Sequence, residues 1–556
     1  MKKLLAILLA AVMLLSSCGV SERNPAEQGS SEASGSEAGN GEIVTDVPKS
    51  TSDSVDTEAP DSTDYTQTTN PFEGIFELDI YGHPLPELRE LECALSYEEV
   101  CEMYPDKTVL TWLVSFVDNT YATRRTKEIN DYLVSLGKDY VVYFEPYIDN
   151  KYRDPYYVII QDRIDNGEKF DIIFEFSDFL GHAGLTIPLD DYLQNTEIGQ
   201  ELLELMPENY WRASTNNDGI YGLGNASFVI GHTLLCFYNA ELVDKYGYDI
   251  NKSPLEQLDI LHEIDENEED TCTVYGPTPS NYVAPYTNYR SIEPPLYWDK
   301  NTDEAKLALD NQEYLETVYT LSKLYDEGLL IKSLYSLYDD SFFMYCCQGV
   351  VPTFLTSFQI NDDGTYTVLN AAKEPVTCYM TTPNGPMAIN NPWYATGVAA
   401  VSEHKDEAFD LLATSYVDAT LNNLLTYGVE GVDYTVDEDG STGTGSFATM
   451  LYANPLIGRT STGNCSEYQD FLRNMLETAP CEDDIEFVPN FLDYYDMLSE
   501  ASLVMTDFAD TLSHGVATRE EFDAIVAEYK EKILQTGIQD AIDGINAQYA
   551  EWKSKQ

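Results

Sequence analysis

Residues 108–174 constrain the fold most, because they alternate strand, helix, strand, helix, strand. Thr108–Phe116 (TVLTWLVSF) is a β-branched and aromatic run that reads as a buried strand. Ile129, Tyr132, Leu133 and Leu136 follow at helical spacing, and Gly137 stops them. Tyr140–Phe144 is a second strand. Asp154 and Pro155 look like an N-cap followed by proline at the first helical position. Tyr156, Ile159, Ile160 and Ile164 give that helix its apolar face, and Gly167 ends it. Phe170–Phe174 (FDIIF) is the third strand. This order predicts an α/β fold with a parallel sheet covered on both faces.

The pattern continues less regularly. Asn217-Asp218-Gly219 reads as a tight turn before Ile220. The run Thr233–Tyr238 leads into Asn239 and a helix. Asp362-Asp363-Gly364 reads as a hairpin turn, and Gly397–Val401 as a strand followed by a helix capped at Ser402, with Ala408, Leu411 and Leu412 inward. Thr518–Glu521 fits a capping box. Ile538, Ala541, Ile542, Ile545, Tyr549 and Trp552 form one stripe on a terminal helix. At about 150 residues per domain, the length predicts two to four domains.

The N-terminus speaks to compartment. Lys2 and Lys3 precede the apolar run Leu4–Leu15, which is too short to span a bilayer and fits a secretory signal. Leu15-Ser16-Ser17-Cys18 then fits a lipoprotein cleavage site, so residues 1–17 are expected to be removed and Cys18 lipidated. Residues 18–70 are Ser, Thr, Gly and acidic residues with little to bury, and read as a disordered tether. No later apolar run approaches membrane-spanning length. The expected location is therefore outside the cytoplasm, held to the membrane only by lipid.

Charge narrows the partners. With 31 Lys plus Arg against 96 Asp plus Glu, the formal charge is −65. Nucleic acid and anionic surfaces need clustered cations, so they are poor partners for this chain.

Catalytic signatures are missing. There is no HExxH, no phosphate-cradling Gly-Lys-Ser/Thr loop and no convincing nucleophile elbow. Paired carboxylates for glycoside hydrolysis carry no signal in so acidic a chain. Thr435–Gly440 (TVDEDG) half-resembles a calcium loop, but Thr stands first and Ser446 holds the twelfth position, so a turn is the plainer reading. After Cys18 the cysteines are odd in number and irregularly spaced, which disfavours zinc; Cys93 with Cys101, or Cys465 with Cys481, are possible pairs, and buried free thiols are the alternative. No metal and no cofactor are expected.

Carbohydrate recognition needs flat aromatic faces and paired carboxylates or amides. Ligands of open α/β sheets sit beyond the carboxyl ends of the strands. The first strand carries Trp112 and runs toward Asp118, and FDIIF runs into Glu175, Ser177 and Asp178. Trp393 follows Pro392 in a polar loop; Trp298, Tyr286 and Phe354 lie in aromatic loops. Each has a structural alternative. Trp112 sits inside its strand, where core packing competes, and Glu175 and Asp178 suit helix capping equally well.

These residues resemble a known family. TVLTWLVSF, GEKFDIIFEFSD and LLCFYNAELVDKYG, in that order after a lipoprotein signal, are similar to the family-1 extracellular solute-binding proteins of ABC importers. NNPWYATGVAAVSEHKDEAFDLLATSYVD, then NNLLTYGVEGVDY, and the ending Ile533–Trp552 resemble a lipoprotein branch of it. The likeness covers about residues 106–552, and residues 71–105 have no counterpart. It implies a two-lobe periplasmic-binding-protein-like fold, each lobe a sheet flanked by helices, with a hinge between. Lobe one is expected over 106–235 plus 392–432, and lobe two over 240–390 plus 435–556. The crossings are expected at Phe237-Tyr238-Asn239 and near Gly428–Gly431, which brings Glu430 toward the ligand. The likeness also places Glu175–Asp178 and Phe354 where relatives contact sugars.

The expected function is that of a monomeric, non-enzymatic receptor for an oligosaccharide, serving an ABC permease. A peptide-binding protein of the same fold and a cell-surface glycosidase are the alternatives.

Overall fold

A computed structural model describes residues 95–114, 123–146, 156–230, 234–268, 271–272, 289–291, 295–329, 341–342, 344–348, 358–361, 363–369, 375–381, 389, 391–392, 394–437, 440–442, 454–460, 465–512 and 515–556. The strands of its two main sheets are β1 (Thr108–Val114), β2 (Tyr140–Pro146), β3 (Ile172–Phe176), β4 (Leu223–Gly224), β5 (Leu234–Asn239), β6 (Met344–Gln348), β7 (Phe358–Ile360), β8 (Tyr366–Leu369), β9 (Pro375–Thr381) and β10 (Tyr394–Val398).

The first sheet has the order β2-β1-β3-β10-β4. β1 runs parallel to both β2 and β3, with Trp112 opposite Phe144 on one side and Ile172 on the other. The expected parallel core is therefore present, and β10 and β4 extend it in antiparallel fashion. Side chains alternate across this sheet. Leu110, Trp112, Ile172 and Phe174 enter one core, while Leu113 and Ile173 enter a smaller one against Ile160, Phe170 and Leu180. That two-sided burial is why FDIIF and TVLTWLV read as continuous apolar runs. Gly137 and Gly167 stop their helices with φ of 80° each, a conformation glycine reaches without a Cβ penalty.

Long-range polar contacts fix this lobe. Asn130 Nδ2 donates to the Val142 carbonyl at 2.9 Å, and Val142 N donates back to its Oδ1 at 2.8 Å, closing the outer edge of β2. Asp171 accepts from Thr111 N at 2.8 Å and from Ser402 Oγ at 2.6 Å. Ser402 thus ties β10 to β1 rather than capping the next helix directly, which starts at Lys405 after His404. β10 itself lies three residues earlier than the run Gly397–Val401 predicts, because its pairing with β3 sets Gly397 opposite Ile173.

The second sheet is antiparallel throughout, order β6-β5-β9-β8-β7. Asn239 ends β5 and caps the helix Ala240–Tyr246, accepting from Glu241 N and Leu242 N. A second core gathers Tyr238, Leu261, Trp298, Leu324, Phe487, Phe508 and Ile538. It takes in the terminal stripe as expected, with Ile538, Ala541, Ile542, Ile545 and Tyr549 buried. Thr518 caps its helix through Glu521 N, but the Glu521 carboxylate accepts from Ala517 N, so only half of the capping box forms.

Among the described residues, three connections lead from one core to the other. Ile230 belongs to the first and Tyr238 to the second; Tyr379 packs on the second and Ile389 belongs to the first; Ile485 belongs to the first and Phe487 to the second. The first core draws on residues 110–230 and 389–485, the second on 238–329 and 487–549, and Cys378 of β9 also packs into the first. Leu456, Leu472 and Leu476, expected in lobe two, pack into the first core. The segment near Gly428–Gly431 is not a crossing. Gly428, at φ 87°, lies against Arg125 of the first lobe, where a Cβ would come within 2.7 Å of Arg125 Nε.

Candidate functional site

The parallel register brings three of the sequence-selected segments to one edge of the first sheet. Val114 ends β1 opposite Pro146 of β2, so the chain leaves both strands at the same edge. β3 runs in the same direction, and its end carries Glu175, with Ser177 and Asp178 following directly in the helix Ser177–His182. β10 runs the other way, with Tyr394 opposite Phe176, so the segment Asn391–Pro392 enters at that edge too. Phe174 and Tyr394 stack there, centroids 5.2 Å apart and planes 17° apart. This is the carboxyl edge where open α/β sheets hold ligands.

Asp118, Tyr286, Phe354, Trp393 and Cys18 lie outside the described residues. Glu175, Ser177 and Asp178 are placed by their backbone.

Two expected ligand contacts are core residues instead. Trp112 is 1% exposed and packs on Phe144 at 5.6 Å. Trp298 is also 1% exposed, between Tyr549 at 4.6 Å and Phe487 at 5.6 Å. Neither leaves a ring face for a solute. An indole has a large apolar area to bury, which favours the core wherever its strand face turns inward.

Glu430 is exposed and pairs with Arg459, Nη2 to Oε2 3.3 Å. Its loop is held by Val429 N donating to Asp433 Oδ2 at 2.8 Å and Gly431 N to the Tyr434 carbonyl at 2.7 Å. Arg459 Nη1 also donates to the Gly440 carbonyl at 3.0 Å, so a guanidinium faces the TVDEDG loop. Gly440 N donates to Asp437 O at 2.9 Å, and residues 438 and 439 between them lie outside the described residues. Among the described residues, no group of His, Cys, Asp and Glu is arranged to hold a metal ion. Cys465 and Cys481 are not joined to each other, Cys465 Sγ donating to the Gly440 carbonyl at 3.0 Å, and Cys101 is a free thiol.

Next to the edge lie the crossings, and here the structure shows residues that the sequence did not. Ile230 and Ile389 bridge each other, so two crossings run side by side. The third joins them: Ile389 N donates to the Pro480 carbonyl at 2.8 Å, and Asn391 Nδ2 to the Ile485 carbonyl at 2.8 Å. First-lobe side chains grip this third crossing. Arg212 donates to the Glu482 carbonyl at 2.7 Å and to Glu486 at 2.8 Å. Asn217 Nδ2 donates to the Val488 carbonyl at 2.8 Å, and Val488 N donates to its Oδ1 at 3.2 Å. His182 Nε2 lies 3.0 Å from the same carbonyl. Burial holds the His182 imidazole below its usual range, against that carbonyl and Asp218. The Asn217-Asp218-Gly219 turn forms as read, with Asn217 at φ 53°, but its grip on Val488 spans far too much sequence to be visible in a local motif.

Two lobes on sheets, joined by adjacent crossings, make up the fold of a solute-binding protein, and the chain has that fold. The N-glycan transport solute-binding protein of Streptococcus pneumoniae superposes with a TM-score of 0.59 at 18% identity, covering 81% of this chain and 100% of that one. The same protein in complex with Man1GlcNAc gives 0.57 at 17% identity, covering 80% and 99%. Its complex with Man5GlcNAc gives 0.55 at 18% identity, covering 81% and 100%. No protein-family model matches the sequence, and no curated protein matches it. Among the described residues, no helix is long and apolar enough to cross a membrane.

Proposed function

We propose that this chain is a lipid-anchored extracellular receptor that captures an oligosaccharide between its lobes and delivers it to an ABC permease. The observation that carries this reading is the fold shared with an N-glycan transport binding protein along that protein's whole length. The signal at residues 1–17 and Cys18 supports the anchor, and the acidic stretch to residue 70 supports a tether. In this reading lobe one supplies Asp118, Glu175, Ser177, Asp178 and Trp393, and lobe two supplies Tyr286 and Phe354. Carboxylates accept from sugar hydroxyls in pairs, while aromatic rings cover the apolar faces of pyranoses. Closure about the three crossings expels water and strengthens those hydrogen bonds. No step is catalytic, and no cofactor takes part.

The test is a thermal-shift screen of the protein against mannose- and GlcNAc-containing glycans, other oligosaccharides and peptides, followed by calorimetry. A ligand at about 100 times its Kd adds roughly 2.7 kcal/mol of stability. A shift confined to glycans is the expected result. A shift with peptides alone overturns the ligand class, and release of cleaved sugar during incubation overturns the receptor reading in favour of a glycosidase. For the anchor, Cys18→Ala is expected to release the protein from the membrane fraction.

A further inference from the structure

The second sheet holds a pairing of cysteines that their spacing in the sequence does not reveal. β5 and β6 are antiparallel neighbours, and their register sets Cys346 directly opposite Cys236. Directly opposed residues of an antiparallel pair have Cα atoms about 4.5 or 5.5 Å apart, depending on the hydrogen-bonding class. Both values fall in the range of about 4.4–6.8 Å that a disulfide accepts. The two positions also share a face, since residues directly opposite across a ladder lie on the same side of the sheet.

The other cysteines of this sheet have no such partner position. Cys347 is opposite Leu235, and Cys378 of β9 is level with Asn239, on the far side of β5 from β6. Cys272 pairs with Phe342 in a separate two-stranded ladder. Cys378 is a free thiol, and burial pushes it up to about 12, so at neutral pH it offers almost no thiolate to compete.

We propose that Cys236 and Cys346 are joined by a cross-strand disulfide. Its formation in the cell rests on the exported reading above, because a reducing cytoplasm would keep both thiols reduced. The chemistry needs a disulfide oxidant, such as an oxidised low-molecular-weight thiol or a thiol oxidase of the export pathway. One thiolate attacks a sulfur of that oxidant and forms a mixed disulfide, releasing one thiolate. The second thiolate then displaces the first sulfur's partner, also as thiolate. The two cysteines lose two protons and two electrons, and the oxidant's disulfide becomes two thiols. β6 is the edge strand of the sheet and β5 carries the first crossing into it. The bond would staple that edge strand to the crossing strand on the second-lobe side of the hinge, leaving rotation about the crossings free.

The experiment uses the full chain in detergent. Reduced protein is equilibrated in a glutathione redox buffer, quenched with acid, alkylated and digested, and the peptides are mapped by mass. A linked pair containing Cys236 and Cys346 is expected. Alkylation of both, or linkage of either to Cys347 or another cysteine, overturns the proposal. As a second readout, the thermal midpoint of the native chain should fall on reduction, while that of Cys236→Ser/Cys346→Ser should not respond. Protein labelled at the cell surface completes the set. The bond in the redox buffer with free thiols in cells upholds the pairing and overturns the exported reading instead.

Discussion

Lys300 Nζ of the second lobe lies 2.7 Å from Glu482 Oε1 on the third crossing. Lys300 follows the strand Leu296–Asp299, whose core is the second, whereas Glu482 stands just ahead of Ile485 in the first. The pair therefore spans the hinge, and both side chains are largely shielded, at 20% and 32% exposure. Glu482→Gln is expected to cost under about 1 kcal/mol of stability, the scale of such a pair. Its larger effect should be on geometry. The ligand-free interlobe distance distribution, measured between spin labels on the two lobes, should broaden. An unchanged distribution would mean that the pair does not restrain the hinge.

His182 gives folding stability a pH dependence. Its folded pKa is below its value in the unfolded chain, so the unfolded state binds the extra proton. Stability contributed by the neutral ring is thus complete above about pH 6.5, the unperturbed histidine value. It declines as pH falls from there and levels off below the folded pKa, with a slope of at most about 1.4 kcal/mol per pH unit. Chemical denaturation of wild type and His182→Gln across pH 5–8 should show the variant losing this part of the slope. Parallel curves would remove His182 as its source.

Gly428 combines a strained conformation with crowding. Gly428→Ala would meet the left-handed penalty of about 1–2 kcal/mol and also press a methyl against Arg125 and Asp433. Gly137→Ala meets only the first, since no atom lies within 4 Å of its Cβ. Urea unfolding should rank Gly428→Ala as clearly the more destabilising. Equal losses would show that the Arg125 side gives way without cost.

The tryptophans should separate by readout. Trp298→Ala is expected to cost about 3–5 kcal/mol of stability, as for other buried aromatics. Trp393→Ala should leave stability near wild type and weaken glycan binding by about 1–3 kcal/mol. Calorimetry on the folded Trp393→Ala protein checks this, and wild-type affinity would take Trp393 out of the site.

The parallel core was legible because its signals are local. Strand runs bounded by Gly137 and Gly167 need no knowledge of distant residues. The lobe boundary was not. Leu472 and Leu476 lie on the same face of the helix Cys465–Thr478, so the sequence shows an amphipathic helix, but nothing in the spacing says which core that face enters. The same limit hid the grip of Arg212, Asn217 and His182 on residues 482–488. It also left Trp112 undecided, since an aromatic within a strand reads alike whether it faces a core or a cleft. At the site, the edge that gathers Glu175, Ser177 and Asp178 followed from strand direction alone, whereas Glu430 rested on an expected crossing, and Gly428 ends a first-lobe helix instead.

The passage of the described chain back and forth between cores also sets a timetable for folding. A ribosome that has finished residues 108–230 has laid down β1, β2 and β3 but none of Leu421, Leu472 or Ile485, which complete the core around them. The first core is therefore completed only by residues up to Ile485, and the second by Phe508 and Ile545. Each core therefore waits for segments made late in synthesis, and native packing of both is expected only after those segments emerge.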